Sequence, residues 1–172
     1  MAHAASALRV NAIELLRSPG SLREVAVTLV AEAVGVDDAR VSGDVVVALT
    51  ATSSVDGIVV HGRVSTPWHG QCRRCLRDVS GVAVADVEEI YQVDPRLDDA
   101  VQIVGDQIDL APVVREYVLL ELPEAPLCRV DCAGICPQCG ADRNESPCAC
   151  DTSVTDLRWS ALEGLQLDDP TE

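Results

Sequence analysis

Six of the eight cysteines lie in one short stretch near the C-terminus, which is rich in glycine and proline. Cys136 and Cys139 flank a Pro-Gln dipeptide and precede Gly140, which is the pattern of a zinc knuckle. Two thiolates at this spacing reach one metal from the same turn, and the glycine tolerates left-handed backbone. Cys148 and Cys150 follow closely, so these four cysteines are predicted to form one tetrahedral site.

A second set of thiols is predicted from two distant pairs. Cys128 and Cys132 are four residues apart and face the same way on a helical turn. Their proposed partners, Cys72 and Cys75, lie far back in the chain. The sequence therefore predicts one or two structural Zn²⁺ ions per chain. A rival arrangement shares two metals among the six C-terminal cysteines alone.

Two other uses of the cysteines compete with metal binding. A disulfide framework suits a secreted protein, but no apolar signal segment follows residues 1–9, so we expect a cytoplasmic protein with reduced thiols. A redox dithiol at Cys72 and Cys75 should lie where a strand leads into a helix, whereas both flanks here resemble strands. His69 is a further candidate ligand, although a lone loop histidine more often forms hydrogen bonds.

The composition favours strands and excludes two kinds of lysine chemistry. Among 172 residues, 48% are hydrophobic but only 2% are aromatic, so the core must be built from Val, Leu, Ile and Ala. All thirteen basic residues are arginine. The lack of lysine excludes a P-loop and a Schiff-base lysine. No catalytic motif is recognisable, and no apolar run approaches the length of a membrane span.

The net charge of −15 disfavours binding to a phosphate backbone. Two zinc sites with four thiolates each would make it about −19. Four arginines nevertheless gather near the first cysteine pair, and they either balance neighbouring carboxylates or contact an anion. These are Arg63, Arg73, Arg74 and Arg77.

Apolar alternation and turn residues predict a chain of hairpins. A Ser-Leu-Arg-Glu stretch at residues 21–24 has the form of a helix-capping box, with a plain loop as its alternative. Asp56 and Gly57 form the turn of one hairpin, and the pair Cys72 and Cys75 caps a second. The predicted strands are 8–15, 25–30, 43–52, 58–65 and 79–93.

One helix is predicted from Asp109 to Glu121, with Pro112 in its first turn. Its apolar stripe is assigned to the core. The stripe consists of Leu110, Val113, Val114, Tyr117 and Val118. A short amphipathic helix is predicted from about residue 154 to 165.

The resulting fold class is α+β, with an antiparallel sheet or a partly closed barrel of hairpins and one packed helix. We expect an α+β domain over residues 1–126 and a zinc-binding module with the C-terminal helix over 127–165. Residues 166–172 are expected to form an acidic tail.

The chain resembles the YceD family, the large ribosomal RNA subunit accumulation proteins. The resemblance extends over about residues 8 to 165, and the cysteine segment is its most specific part. It rests on these stretches: Cys72-Arg-Arg-Cys75-Leu76, Ile108-Asp-Leu110, Leu119-Leu-Glu-Leu-Pro123, Leu127-Cys128 through Cys139-Gly140, Asn144, and Cys148-Ala-Cys150.

This resemblance implies a cytosolic bacterial protein that acts in accumulation of large-subunit (23S) ribosomal RNA. Many members lack the C-terminal cysteines, so zinc there is not the general activity of the family. Similar proteins tend to have Leu-Asn where this chain has Arg143-Asn144, and Asp-Pro-Arg where it has Asp156-Leu157-Arg158. The leading interpretation is a non-enzymatic assembly factor. The alternative is a zinc-dependent or thiol-redox enzyme.

The expected partner is a basic large-subunit ribosomal protein or an immature large subunit. The acidic loop 94–106 and the carboxylates Asp86, Glu88 and Glu89 would supply a complementary charge. Contact with ribosomal RNA would be local, through Arg73, Arg74 and Arg77.

Overall fold

The computed structural model describes residues 6–96, 100–151 and 156–162. The elements in order are β1 (Arg9–Asn11), α1 (Ala12–Leu16), β2 (Leu22–Leu29), a 3-10 helix (Ala31–Val34), β3 (Val45–Ser53), β4 (Ile58–Gln71), β5 (Asp78–Gln92), β6 (Val101–Gln102), β7 (Gln107–Asp109), α2 (Ala111–Glu121) and a second 3-10 helix (Leu157–Leu162).

The strands form two sheets. The larger has the order β2-β3-β4-β5-β6, and the smaller pairs β1 with β7. All pairs are antiparallel except that of β5 and β6, which is parallel. The fold is therefore α+β, as predicted, with a mixed sheet. Among the described strands, the large sheet stays open and does not close into a barrel.

The two predicted hairpins are confirmed, and they form the centre of the large sheet. β3 and β4 pair from Val46 with Ser65 to Ser53 with Ile58. β4 and β5 are the longest strands, and β4 pairs with β5 over its whole length. Every second residue of β3 is buried, which is the alternation that the sequence predicted for a sheet with one face on the core.

The predicted main helix is also confirmed. α2 packs on β4 and β5, and its buried side chains are Val113, Val114 and Val118. The Asp109 carboxylate accepts a hydrogen bond from the N–H of Ala111 at 3.0 Å. Pro112 lies in the first turn, where a backbone N–H has no partner within the helix, so its missing N–H costs no helical hydrogen bond. The apolar stripe belongs to the core, as expected.

Two local predictions near the N-terminus are wrong. The strand predicted over 8–15 ends at Asn11, because the Asn11 side chain accepts a hydrogen bond from the N–H of Glu14 and caps α1. The capping box predicted at residues 21–24 does not form. Residues 22–24 instead begin β2, where pairing with β3 supplies backbone hydrogen bonds that a short helix would lack.

The C-terminal prediction is only partly covered by the structure. Of the helix predicted over 154–165, the described part is a 3-10 helix at Leu157–Leu162. Residues 154, 155 and 163–165, and the tail predicted at 166–172, lie outside the described residues. The predicted domain boundary between residues 126 and 127 stays a prediction.

Candidate metal centres

The eight cysteine side chains form two groups of four. In each group the four sulfur atoms lie within 4.8 Å of one another. We call Cys72, Cys75, Cys128 and Cys132 the inner centre, and Cys136, Cys139, Cys148 and Cys150 the outer centre. This is the grouping that the spacing predicted, rather than the rival sharing among six cysteines. That the thiols bind metal stays a prediction.

The inner centre joins parts of the chain that are distant in sequence. The sulfur of Cys72 lies 3.8 Å from that of Cys132, and the sulfur of Cys75 lies 3.6 Å from that of Cys128. Four sulfurs bound to a tetrahedral zinc at about 2.3 Å lie about 3.8 Å apart. The spacing therefore fits a zinc ion without rearrangement.

The surroundings of the inner centre are mostly apolar. Cys72, Cys75 and Cys132 are buried, and Cys128 is half-buried. Val79 and Leu127 pack against this cluster. The inner centre thus supplies a small apolar core where the cysteine segment meets the tip of the β4–β5 hairpin.

The first knuckle, formed by residues 72–77, turns the chain between β4 and β5. The N–H of Leu76 donates to the carbonyl oxygen of Cys72 at 2.9 Å, and the N–H of Cys72 donates to the carbonyl oxygen of Arg77 at 2.8 Å. Leu76 has a φ of 59°. It is the single non-glycine residue with positive φ among the described residues.

The second knuckle, formed by residues 136–141, repeats this backbone pattern in the outer centre. The N–H of Gly140 donates to the carbonyl oxygen of Cys136 at 2.9 Å, and the N–H of Cys136 donates to the carbonyl oxygen of Ala141 at 2.8 Å. Gly140 has a φ of 74°. Two segments with different sequences therefore adopt one ligand-presenting turn, and only the second one carries the expected glycine.

Backbone N–H groups favour a thiolate at the first cysteine of each knuckle. Hydrogen bonds from the N–H groups of Cys128 and Cys75 lower the pKa of Cys72 to about 6. The N–H groups of Cys139 and Gln138 do the same for Cys136, whose pKa is also about 6.

One of the later cysteines in each centre has a raised pKa instead. Burial raises the pKa of Cys128 to about 12. In the outer centre, the hydrogen bond between the Cys139 and Cys150 thiols raises the pKa of Cys150 to about 12. Four thiolates this close repel one another unless a cation lies between them, so the donor set suits a soft divalent metal such as zinc.

Asn144 supports the inner centre from the segment that follows the second knuckle. Its side-chain nitrogen lies 3.4 Å from the sulfur of Cys132, and its side-chain oxygen accepts hydrogen bonds from the N–H of Ala133 and the guanidinium of Arg129, both at 2.8 Å. Sequence reasoning gave this asparagine no role, although it belonged to the family-like pattern. Its contacts attach the segment after the second knuckle to the inner centre.

Two of the arginines near the first knuckle hold the cysteine segment in place. The Arg74 guanidinium donates to the carbonyl oxygens of Val130 and Cys132 at 3.3 and 2.9 Å. Arg77 forms ion pairs with Asp142 and Glu145 at 3.2 and 2.9 Å. Arg77 thus fits the charge-balancing alternative.

The remaining candidates lie apart from these contacts. Arg63 forms an exposed ion pair with Asp86 on the sheet, and the side chain of Arg73 is exposed. His69 belongs to neither thiol group within the described residues. Both groups therefore consist of cysteines only, and each supplies the four donors that a tetrahedral metal site needs.

Replacing Leu76 with glycine is expected to stabilise the protein by about 1 kcal/mol. A left-handed non-glycine residue is strained by about 1–2 kcal/mol, partly offset by the greater freedom of glycine in the unfolded chain. The Leu76 side chain is 56% exposed, so little packing is lost. Urea unfolding of the metal-loaded protein measures the change.

Gly140→Leu is the matched control for this experiment. A Cβ at Gly140 meets nothing within 4 Å, so the substitution tests the same backbone strain in the reverse direction. We expect a loss of about 1 kcal/mol. Equal destabilisation by both changes would show that Leu76 is held by contacts rather than strained.

Comparison with known proteins identifies relatives along most of the chain. The family model described as "Large ribosomal RNA subunit accumulation protein YceD" matches residues 60–166. The uncharacterised protein Rv2926c of Mycobacterium tuberculosis is 34% identical over 170 residues, covering 93% of this chain and 82% of that protein. The uncharacterised protein ML1660 of Mycobacterium leprae is 32% identical over 99 residues, covering 54% of this chain and 46% of that protein. No solved structure matches. No helix in the described ranges is long and apolar enough to cross a membrane.

Proposed function

Because this chain belongs to the family of large ribosomal RNA subunit accumulation proteins, we propose that it is a cytoplasmic ribosome-assembly factor. It supports accumulation of the large-subunit (23S) ribosomal RNA and catalyses no reaction of its own. The observation that carries this proposal is the family match over residues 60–166, which includes most of the β4–β5 hairpin and both thiol centres.

Zinc is proposed as a structural ion in both centres. The four thiols of the inner centre would hold one ion, and those of the outer centre a second. The tetrahedral spacing and the turns that present each pair support zinc over a disulfide framework. The ions would fix a segment that has little core of its own.

The thiol sets also weigh against the enzyme alternative. A catalytic zinc keeps one position open for water or substrate, whereas each set here supplies four protein ligands. A redox dithiol needs its own two thiols free of metal. The two sulfurs of each knuckle instead lie within 4.8 Å of two further sulfurs, which would complete a metal site. The donor arrangement therefore favours structural ions.

The proposed partner is a basic large-subunit ribosomal protein or the immature large subunit. A chain with a net charge of −15 attracts basic proteins and repels naked RNA, most strongly at low salt. Of the three arginines expected to touch ribosomal RNA, Arg74 and Arg77 bind within the chain, so Arg73 is proposed as the main RNA contact.

Depletion of the protein is expected to lower the ratio of large- to small-subunit ribosomal RNA. The protein itself should copurify with large-subunit precursors at low salt. Re-expression of the intact chain is the control for the depletion. An unchanged RNA ratio would remove the proposed function, and tight binding to naked RNA at physiological salt would contradict the charge argument.

A further inference from the structure

One face of the large sheet packs on the core, and no helix or strand in the described part of the chain packs on the opposite face. The inward residues of β3, β4 and β5 belong to the hydrophobic core. The residues between them point away from it, because side chains alternate along a strand. We call this second side the outer face. Three of its valines remain strongly exposed: Val46 at 46%, Val82 at 63% and Val84 at 47%.

These valines belong to a continuous uncharged region across four strands, which we call the aliphatic patch. The strand register places Val46 opposite Ser65, and Ser65 opposite Val84. Its eight positions are Ala26 and Thr28 on β2, Val46 and Ala48 on β3, Ser65 and Pro67 on β4, and Val82 and Val84 on β5.

The dimensions of the aliphatic patch suit the centre of a protein interface. Strands lie about 4.8 Å apart, and residues on one face of a strand lie about 6.6 Å apart, so the patch measures about 14 by 13 Å. Protein interfaces place an uncharged, apolar centre inside a polar rim. Exposed valines scattered singly need no such explanation, but these lie on adjacent rows.

Carboxylates border the aliphatic patch at both of its ends along the strands. Arg63 and Asp86 lie in the row that contains Ala48, and they form an ion pair at 2.6 Å. The next row along the sheet contains Glu24 and Glu88. Asp44 lies at the other end, two residues before Val46. The acidic rim, formed by Glu24, Asp44, Asp86 and Glu88, thus outnumbers the single arginine.

This charge decides between two possible occupants. A second copy of the chain would bring another acidic rim and a further net charge of −15 to the contact, so like charges would meet. A basic protein would instead complement the rim while its own aliphatic side chains covered the valines. Phosphate groups of RNA fit neither the rim nor the uncharged centre.

We propose that the outer face is the docking surface for a basic protein that presents aliphatic side chains flanked by arginine or lysine. The inference rests on the proposed function for the identity of this protein as a component of the large ribosomal subunit. It adds an apolar centre to a contact that the sequence assigned to the acidic loop and strand carboxylates alone.

The test uses the full-length, metal-loaded protein and ribosomal proteins extracted from purified large subunits without their RNA. Bound proteins are identified, and their affinities are then measured one at a time. The variant Val46→Thr/Val84→Thr keeps β-branched side chains and removes apolar contact. We expect binding about tenfold weaker, as for loss of contacts at the centre of an interface.

Val55→Thr/Val104→Thr is the matched control, because both valines are exposed but lie outside the aliphatic patch. Its affinity should equal that of the unchanged protein. Glu24→Gln/Glu88→Gln provides an independent test that does not depend on the valines. It should weaken association mainly at low salt and flatten the salt dependence.

The outcomes separate this inference from the proposed function. A large-subunit protein could bind with an affinity that neither Val46→Thr/Val84→Thr nor Glu24→Gln/Glu88→Gln lowers. That result would overturn the docking surface and leave the proposed function intact. No binding of any extracted protein would overturn the docking surface, while the RNA ratio after depletion would still decide the function. Dimerisation in sedimentation experiments that Val46→Thr/Val84→Thr abolishes would assign the outer face to a second copy instead.

Discussion

Replacing Cys72 and Cys75 with serine is expected to remove one of two zinc ions and to detach the cysteine segment from the β4–β5 hairpin. The inner centre closes a loop of more than fifty residues, since Cys75 contacts Cys128 across 53 positions. By the loop-closure relation for a covalent cross-link, such a closure contributes about 4 kcal/mol. Loss of the ion should lower the free energy of unfolding by a similar amount.

The matched variant is Cys148→Ser/Cys150→Ser in the outer centre. It also removes two thiols and one expected ion, but the loop between Cys139 and Cys148 is short, and its closure contributes only about 2.5 kcal/mol. Most of this centre is also more exposed than the inner one. We therefore expect equal losses of zinc and unequal losses of stability.

Elemental analysis and urea unfolding measure these two quantities on protein purified without chelator. The unchanged chain should contain two zinc ions, and each variant should contain one. Hydrogen exchange should rise near Cys128 and Cys132 only in the Cys72→Ser/Cys75→Ser protein. Unchanged zinc in that protein would show that Cys72 and Cys75 are not ligands, and zinc-free wild-type protein with reactive cysteines would reject both centres.

The cysteine grouping was predictable because local spacing restricts which thiols can meet. Cys136 and Cys139 share one turn, and so do Cys72 and Cys75, which makes each pair a unit before any tertiary structure is known. Assigning pairs to centres required the chain to return from Cys128 to the hairpin tip. The predicted hairpin places Cys72 and Cys75 at its tip, within reach of a returning chain, and the structure brings the four sulfurs together.

The support around the thiols was less accessible to sequence reasoning. A left-handed residue is usually predicted from a glycine, and position 76 holds leucine instead. Only the shared hydrogen-bond pattern shows that Leu76 corresponds to Gly140. The contacts of Asn144 and Arg74 depend on where the cysteine segment folds back. Long-range contacts of this kind leave no periodic signal in the chain.

The fold shows the same division between regular and local structure. The long strands β3, β4 and β5 were predictable because alternation over many residues has few alternatives. α1 was missed because one side-chain hydrogen bond to Asn11 outweighs the strand-like pattern of a five-residue stretch. The outward valines of the aliphatic patch matched strand propensity, so the sequence did not distinguish them from ordinary strand residues.

Substituting alanine for Gly62 is expected to lower the free energy of unfolding by about 3 kcal/mol or more. Gly62 lies on β4 opposite Leu49 of β3, with a φ of 143°. A Cβ there would overlap the carbonyl oxygen of Ala48 and would lie 2.9 Å from the Cα of Leu49. Both atoms belong to the backbone, so the strands themselves would have to separate.

The control is Gly105→Ala, because Gly105 also has a positive φ, 69°, but a Cβ there meets nothing within 4 Å. That change should cost about 1 kcal/mol from backbone strain alone. Urea unfolding of both proteins gives the comparison, and equal costs would show that β3 and β4 can move apart without loss.

Because Gly62 lies between the buried Val60 and Val64, separation of the strands there would also disturb the core side of the sheet. The close approach of β3 and β4 at Gly62 therefore fixes the distance between the strands that carry Val46 and Ser65 on the opposite face, so Gly62→Ala should weaken docking as well as folding.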